Sequence, residues 1–173
     1  MRLWHYKLIP VLPNKMLVSQ WRECIAIKRQ WEKETLKHRL VSYVMNYDKT
    51  YFYIYVVKVV DELTLNRKIK INMNLFWEIQ RFCAPVPIKE ESFNKYYPEH
   101  NDRYLKQCYY NLQEKYDRGI ITEDEWEKIE FLMQFGKPKT EMKFLKHENC
   151  EWCGGKLYEN YYCSECGRET ECK

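Results

Sequence analysis

The sequence predicts a mainly α-helical protein, in which a compact helical domain is followed by a short helical hairpin and a small cysteine ribbon. Three observations predict this organisation. Apolar residues recur at helical spacing in several segments, and residues that cap helices stand where these segments begin. Near the C-terminus, two Cys-x-x-Cys-Gly sequences follow each other closely.

The first predicted helix runs from Asn14, a residue type that caps helices, to about Lys33. At 100° per residue its apolar residues share one arc; they are Leu17, Val18, Trp21, Cys24 and Ile25. Three basic residues at seven-residue intervals form a stripe on the opposite side; they are Lys15, Arg22 and Arg29, called the basic stripe below. Glu23 borders it. A carboxylate beside such a stripe suggests a surface that meets phosphate, although an exposed glutamate is usually just solvated.

The middle of the chain is ambiguous, because residues 38–65 are rich in Tyr and Val and β-propensity alone favours strands through Tyr51–Val57. The later helices are clearer. Asn101 or Asp102 caps a helix whose apolar face is Leu105, Cys108, Tyr109, Leu112 and Tyr116. Gly119 ends that helix, and the capping box Thr122–Glu125 opens another, with Trp126, Ile129 and Leu132 inward. These two helices form a helical hairpin.

The two Cys-x-x-Cys-Gly sequences, called knuckles below, predict a zinc ribbon in which four thiolates hold one structural ion. The ligands are Cys150, Cys153, Cys163 and Cys166. We expect the glycines of the knuckles to supply the positive φ of tight turns. A redox pair, two disulfides or iron in the same cage are the alternatives. The remaining cysteines are expected to be free thiols, partly buried; they are Cys24, Cys83, Cys108 and Cys172.

Composition sets broad limits on the function. The chain has 173 residues, of which 45% are hydrophobic, and a net charge of +4, which permits an anionic partner without requiring one. No apolar stretch is long enough to cross a membrane, and the first residues lack the hydrophobic core of a signal peptide. We therefore expect a cytoplasmic protein without membrane contact, and we expect it to be a monomer.

The N-terminal residues carry a family resemblance. Met1-Arg2-Leu3-Trp4-His5, then Leu8-Ile9-Pro10-x-Leu12-Pro13 and Trp21-Arg22-Glu23-Cys24, resemble the bacterial branch of the pyrimidine-dimer DNA glycosylases, the family of phage endonuclease V. Further likeness lies in Tyr47-Asp48-Lys49, in Val41-x-Tyr43-Val44 after His38, in Tyr97-Pro98-Glu99-His100 and in Leu112-x-Glu114-Lys115. The likeness spans most of residues 1–116. Because the family is largely helical, we expect residues 51–66 to be a helix.

The resemblance implies a DNA glycosylase that is also an abasic-site lyase, with its N-terminal amine as nucleophile and Glu23 assisting. An α-amine titrates at about 7.7–8.0, against about 10.4 for lysine, so a useful fraction of it is already free base near neutral pH. No cofactor serves this chemistry. Arg2 is large enough to block removal of the initiator Met, so Met1 is the expected nucleophile. Ala26 stands where the phage enzyme has an Arg, and the preferred lesion can differ accordingly.

The expected partner is double-stranded DNA with damaged pyrimidines or abasic sites. The residues expected to bind it are Arg2, Lys15, Arg22, Arg29, His38 and Lys115. The expected segments are the glycosylase domain over 1–118, a hairpin extension over 119–136, a basic linker over 137–147 and the ribbon over 148–173. Two other functions stay open: a nucleic-acid-binding module without chemistry, and a protein adaptor.

Overall fold

A computed structural model describes residues 1–83, 96–138, 143–150, 153, 155–159 and 162–165, without the side chains of 144–148. The chain folds as two compact units, the N-terminal unit (residues 1–129) and the C-terminal unit (residues 130–173). Helices dominate the described residues, so the predicted mainly α-helical class is confirmed. No helix in these ranges is both long and apolar enough to cross a membrane.

The elements follow the chain in a simple order. Five α-helices are present in the described part of the chain: α1 (Asn14–Glu32), α2 (Lys49–Asp61), α3 (Met73–Cys83), α4 (Asp102–Asp117) and α5 (Glu123–Phe135). Shorter turns of 3₁₀-helix cover Tyr6–Val11 and Ser42–Asn46, and a π-helical turn covers Glu62–Asn66 directly after α2.

Helix α1 has the two faces that its sequence predicts. Leu17, Trp21 and Cys24 are buried, and all three residues of the basic stripe are exposed. The expected cap is wrong: Pro13 is the N-cap residue and Asn14 is already helical. The Asn14 side chain does not serve the helix because its Oδ1 accepts a hydrogen bond of 2.7 Å from Arg67.

The β-propensity of the middle segment is overridden, and the helix that the resemblance implies is confirmed as α2 and its π-helical turn. Aromatic and β-branched residues are buried on most sides of α2; they are Phe52, Tyr53, Ile54, Tyr55, Val56, Val59 and Val60. A strand propensity chiefly measures how well such side chains pack on a half-buried surface. Here a helix buries the same side chains in a core, so packing decides the conformation.

The ends of the two later helices follow the predicted chemistry. The Asn101 side chain accepts a hydrogen bond of 3.1 Å from the Tyr104 N–H at the start of α4. Gly119 follows α4 with φ +70°, a conformation that favours glycine. The Glu125 carboxylate accepts from the Thr122 N–H at 3.1 Å, which is one half of the expected capping box.

The side chain of Arg67 joins the start of the chain to the end of the π-helical turn. Its Nη2 donates to the carbonyl of Pro10 at 2.9 Å and its Nη1 donates to the carbonyl of Leu12. These carbonyls lie at the end of a 3₁₀-helix, where intrahelical donors run out. Its Nε forms an ion pair of 2.8 Å with the buried carboxylate of Glu62. One guanidinium thus fixes the approach of the chain to α1.

The C-terminal unit contains a two-stranded antiparallel sheet, β1 (Phe144–Asn149) paired with β2 (Lys156–Tyr158). The ring of Tyr158 meets Phe131 edge-on at 6.1 Å, and Tyr162 meets Phe135 at 4.7 Å. Residues 144–147, which were expected to belong to the linker, lie in β1, because their backbone pairs with β2. The C-terminal unit as a whole starts at Glu130, inside α5, and the predicted ribbon over residues 148–173 is part of it.

We predict that Arg67→Ala lowers the free energy of unfolding by about 3 kcal/mol, because it leaves a buried carboxylate without its ionic partner. Arg118→Ala is the matched control: it removes an exposed ion pair with Glu114 and is expected to cost under about 1 kcal/mol. Urea denaturation of both variants measures the difference. Equal losses in the two variants would contradict this role of Arg67.

Candidate active site and metal centre

The first five residues, called the N-terminal segment below, run into the interior of the N-terminal unit. Leu3, Trp4 and His5 are buried, whereas Met1 and Arg2 are partly exposed. A buried backbone must find hydrogen-bond partners for its polar groups, and this segment has no helix or strand to supply them. Side chains from elsewhere in the chain therefore hold it.

Three side chains bind the backbone of Leu3 and Trp4. The Trp4 N–H donates to Oε1 of Gln20 on α1 at 3.1 Å, and the hydroxyl of Tyr55 on α2 donates to the Trp4 carbonyl at 2.9 Å. The hydroxyl of Tyr104 on α4 donates to the Leu3 carbonyl at 2.6 Å. Burial raises the pKa of both phenols, so they remain protonated donors. Three helices thus fix the segment.

A pair of buried histidines completes this anchoring. His5 Nδ1 accepts from the Lys7 N–H at 3.2 Å, so the hydrogen of the neutral ring lies on Nε2, which donates to the His100 carbonyl at 2.8 Å. His100 Nε2 lies 2.9 Å from the Tyr43 hydroxyl. Burial lowers the pKa of His5 to about 4 and, with the nearby His5, lowers that of His100 to about 3. Both rings are neutral at pH 7.

The terminal amine lies where this anchoring leaves it, at the surface beside a carboxylate and an imidazole. The amine nitrogen of Met1 is 3.2 Å from Nε2 of His38. The next residue is tied to α1, because the Arg2 N–H donates to Oε2 of Glu23 at 2.9 Å. The amine contacts the imidazole, and the carboxylate binds the backbone of the next residue, so the three groups lie in one region.

Positive charge borders this point. The Arg2 guanidinium stacks over the Trp4 ring, 5.2 Å from its centroid. An open groove follows α1, lined by Arg22, Ile25, Ala26, Arg29, Gln30 and Leu75. Gln30 joins the groove to the amine region, because its Nε2 lies 4.0 Å from the Met1 sulfur. The groove lining thus combines apolar side chains with two arginines.

The structure brings together four of the predicted site residues: Met1, Arg2, Glu23 and His38. Arg22 and Arg29 lie along the adjoining groove. Lys15 is exposed in the first turn of α1, and Lys115 lies on α4. Within the described residues, no hydrogen bond or ion pair joins either lysine to the amine region. The DNA-binding roles of all these residues stay predictions.

Sequence reasoning missed the residues that hold the site together. Gln20 interrupts the apolar arc of α1 one residue before Trp21, and a polar residue in such an arc is the one available signal. Tyr104 and Tyr55 give no comparable signal. Tyr104 is 101 residues from its partner Leu3 in the sequence, and Tyr55 is 51 residues from its partner Trp4.

The cysteines of the N-terminal unit are unsuited to nucleophilic chemistry. Cys24, Cys83 and Cys108 are buried free thiols, as predicted. Burial raises the pKa of each, to about 12 for Cys83, and a thiol rather than a thiolate reacts poorly. Cys172 lies outside the described residues.

Three of the four predicted metal ligands come together in the C-terminal unit. The sulfur atoms of Cys150, Cys153 and Cys163 all lie within 4.8 Å of one another, and the last two are 3.4 Å apart. A tetrahedral ion with bonds of about 2.3 Å places its sulfurs roughly 3.8 Å apart, so this cluster can hold a metal ion. The fourth predicted ligand, Cys166, lies outside the described residues.

Local backbone contacts shape this cluster. The Cys150 N–H donates to the Gly155 carbonyl at 2.7 Å, which closes the first knuckle. The predicted role of positive φ is wrong for Gly155, whose φ is not positive. A Cβ at Gly155 would lie 2.5 Å from the Glu165 side chain and 3.0 Å from the Cys163 sulfur. Glycine is needed there for space. Gly154 and Gly167 lie outside the described residues.

Comparison with known proteins gives one finding. Residues 1–76 match the family model described as pyrimidine dimer DNA glycosylase. The predicted resemblance is confirmed, and the match supports a pyrimidine-dimer glycosylase function acting on DNA. It is shorter than the expected likeness over residues 1–116. No curated protein and no solved structure matches the chain.

We predict that stability falls as the pH drops from about 6.5 towards 3, because the unfolded state binds protons at both buried histidines before the folded state does. Each histidine contributes a slope of up to about 1.4 kcal/mol per pH unit. Urea denaturation at pH 7, 5.5 and 4.5 measures the slope. His100→Gln should flatten it, and an unchanged slope in that variant would contradict the assignment.

Proposed function

We propose that this protein is a DNA-repair glycosylase and abasic-site lyase whose nucleophile is the amine of Met1. The Glu23–Arg2 hydrogen bond of 2.9 Å carries the proposal, because it holds a carboxylate one residue from that amine. The family match over residues 1–76 includes both groups. The chemistry below needs no metal or organic cofactor.

In the first step the amine nitrogen attacks C1′ of the damaged nucleotide. The C1′–N bond to the base breaks, the base leaves with its bonding electrons, and the nitrogen gives up a proton. Opening of the sugar C1′–O4′ bond then forms an imine that links Met1 to DNA. The α-amine suits this task because it is less basic than a lysine side chain.

In the second step Glu23 takes the proton from C2′. The electrons of that C–H bond form a double bond, the C3′–O3′ bond breaks, and the strand is cleaved by β-elimination. Before this, the carboxylate stabilises positive charge that develops on the sugar. Water then hydrolyses the imine and restores the amine. The same carboxylate thus serves both steps.

Access to C1′ requires a distorted duplex. Extruding a nucleotide costs a few kcal/mol, and less at a lesion that is already unstacked. The exposed arginines Arg22 and Arg29 and the partly exposed Arg2 supply positive charge next to the amine. They would neutralise phosphates on both sides of a kink. A monomer acting on damaged or abasic duplex DNA in the cytoplasm, at the nucleoid, belongs to the same proposal.

For the C-terminal unit we propose a structural zinc ion held by four thiolates, with Cys166 as the fourth ligand. The clustering of three cysteine sulfurs within 4.8 Å supports this. Zinc would bind the hairpin of β1 and β2, whose small size limits the apolar area that it can bury.

We predict that borohydride traps a covalent adduct between Met1 and abasic duplex DNA, and that acetylating or extending the N-terminus abolishes it. Glu23→Gln should retain DNA binding but cleave strands at least about 100-fold more slowly, because the amide cannot take the C2′ proton. Glu127→Gln, at an exposed position of α5, is the matched control. Mass spectrometry locates the adduct.

Two outcomes would contradict the enzyme. If incision survives both the blocked amine and Glu23→Gln, the assignment of the site is wrong. If binding weakens with salt but ignores the lesion and the amine, the protein is a nucleic-acid-binding module without chemistry.

We also predict one zinc ion per chain by elemental analysis. Cys163→Ser and treatment with a chelator should each abolish the hydrogen-exchange protection of β1 and β2, because the ligand cluster then loses its ion. Ser164→Ala, a neighbouring change that removes no thiolate, is the control. Full protection in the metal-free protein, or iron in place of zinc, would contradict this proposal.

A further inference from the structure

The imidazole of His38 has a more specific environment than a phosphate-binding residue on an open surface. Its Nε2 lies 3.2 Å from the Met1 amine nitrogen, although the two residues are 37 positions apart in the chain. The backbone fixes the position of this histidine, because its carbonyl accepts hydrogen bonds of 2.9 Å from both the Val41 and the Ser42 N–H groups. The ring therefore faces the amine from a closed turn.

A second contact determines which ring nitrogen carries the hydrogen. The Leu40 N–H lies 3.4 Å from Nδ1 of His38 and donates to it. A nitrogen that accepts a hydrogen bond carries no hydrogen, so the hydrogen of the neutral ring lies on Nε2. The ring thus presents a donor to the terminal amine.

A donor at this point distinguishes between the two forms of the amine. The free base has a lone pair that can accept the Nε2–H, whereas the ammonium form has none. Only the free base can attack C1′. The observed arrangement is therefore the one that the nucleophilic form can make, and it directs the lone pair of that form.

Both positive and negative groups surround His38 and the Met1 amine. Lys37 and Arg39 flank the histidine and Arg2 follows the amine, so three cations oppose a further positive charge. Lys37 and Arg39 are exposed and therefore screened. On α1 the Glu23 carboxylate favours a cation, but it already accepts the Arg2 N–H. Within the described residues, the imidazole of His38 is the ionisable side chain that contacts the amine nitrogen directly.

We infer that His38 is a positioning residue, which donates from Nε2 to the lone pair of the Met1 amine, a bond that only the free base can make, and orients that lone pair for attack. This inference rests on the proposed function for its catalytic consequence, but not for the contact itself. It assigns the histidine to the nucleophile and not to a phosphate.

The test measures the reactivity of the amine against pH, first without DNA. Trace acetylation of Met1 should reach half of its maximum at a higher pH in His38→Ala than in the unchanged protein. His38→Gln, whose amide can donate but cannot exchange a proton near pH 7, should stay close to the unchanged protein. Lys37→Ala is the control for charge alone and should shift the midpoint less than His38→Ala does.

The second readout is borohydride trapping on abasic DNA over the same pH range. His38→Ala should trap about tenfold more slowly at pH 6.5 and match the unchanged protein within about twofold at pH 9, which lies above the usual titration range of an α-amine. An equal loss at every pH, an unchanged midpoint, or a His38→Gln variant that behaves like His38→Ala would each overturn the inference. If the unchanged protein gives no adduct at Met1, the proposed function fails, whereas the acetylation result still decides the role of His38.

Discussion

Backbone N–H and C=O groups that leave water need hydrogen-bond partners, and the N-terminal segment carries such groups into the interior of the N-terminal unit. Gln20, Tyr55 and Tyr104 supply partners from three different helices. The position of the terminal amine follows from these bonds. A helix that shifted along its axis would break its hydrogen bond to the N-terminal segment. The packing of the helices therefore determines the position of the amine.

In the N-terminal unit, the polar groups that hold the N-terminal segment differ from those that surround the amine. The buried side chains that hold the segment are neutral, and burial lowers the pKa values of His5 and His100 accordingly. The arginines near the amine lie closer to the solvent, where Arg22 and Arg29 line a groove that also contains apolar side chains. This arrangement fixes neutral hydrogen-bonding groups beneath the amine and leaves positive charge around it. Positive charge near the surface suits the binding of a polyanion.

Much of this architecture follows from local sequence patterns. The two faces of α1 are set by its periodicity, and the ends of α4 and α5 are set by short-range hydrogen bonds from Asn101 and Glu125. The helical state of α2 is not local, because its residues favour strands and only burial in a core decides between the two. Asn14 failed as a cap because a distant arginine binds its side chain.

The sequence offered candidate site residues but not their arrangement. The family resemblance suggested Met1, Glu23 and His38, yet the contact between the amine and the imidazole depends on a turn that closes between α1 and α2. The sequence singled out Gly155 but not the reason for a glycine there. A larger residue would meet the side chain of Glu165, and this close approach exists only in the folded hairpin.

The bonds from the N-terminal segment to His100 and Tyr104 span 95 and 101 residues of chain. During synthesis the first residues leave the ribosome early, whereas these partners emerge only when most of the N-terminal unit has been translated. Contacts between residues so far apart also close slowly, because the loop between them must first lose conformational entropy. A nascent chain therefore exposes its N-terminal amine for some time before the surrounding groups are assembled, and any chemistry that depends on this arrangement has to wait for them.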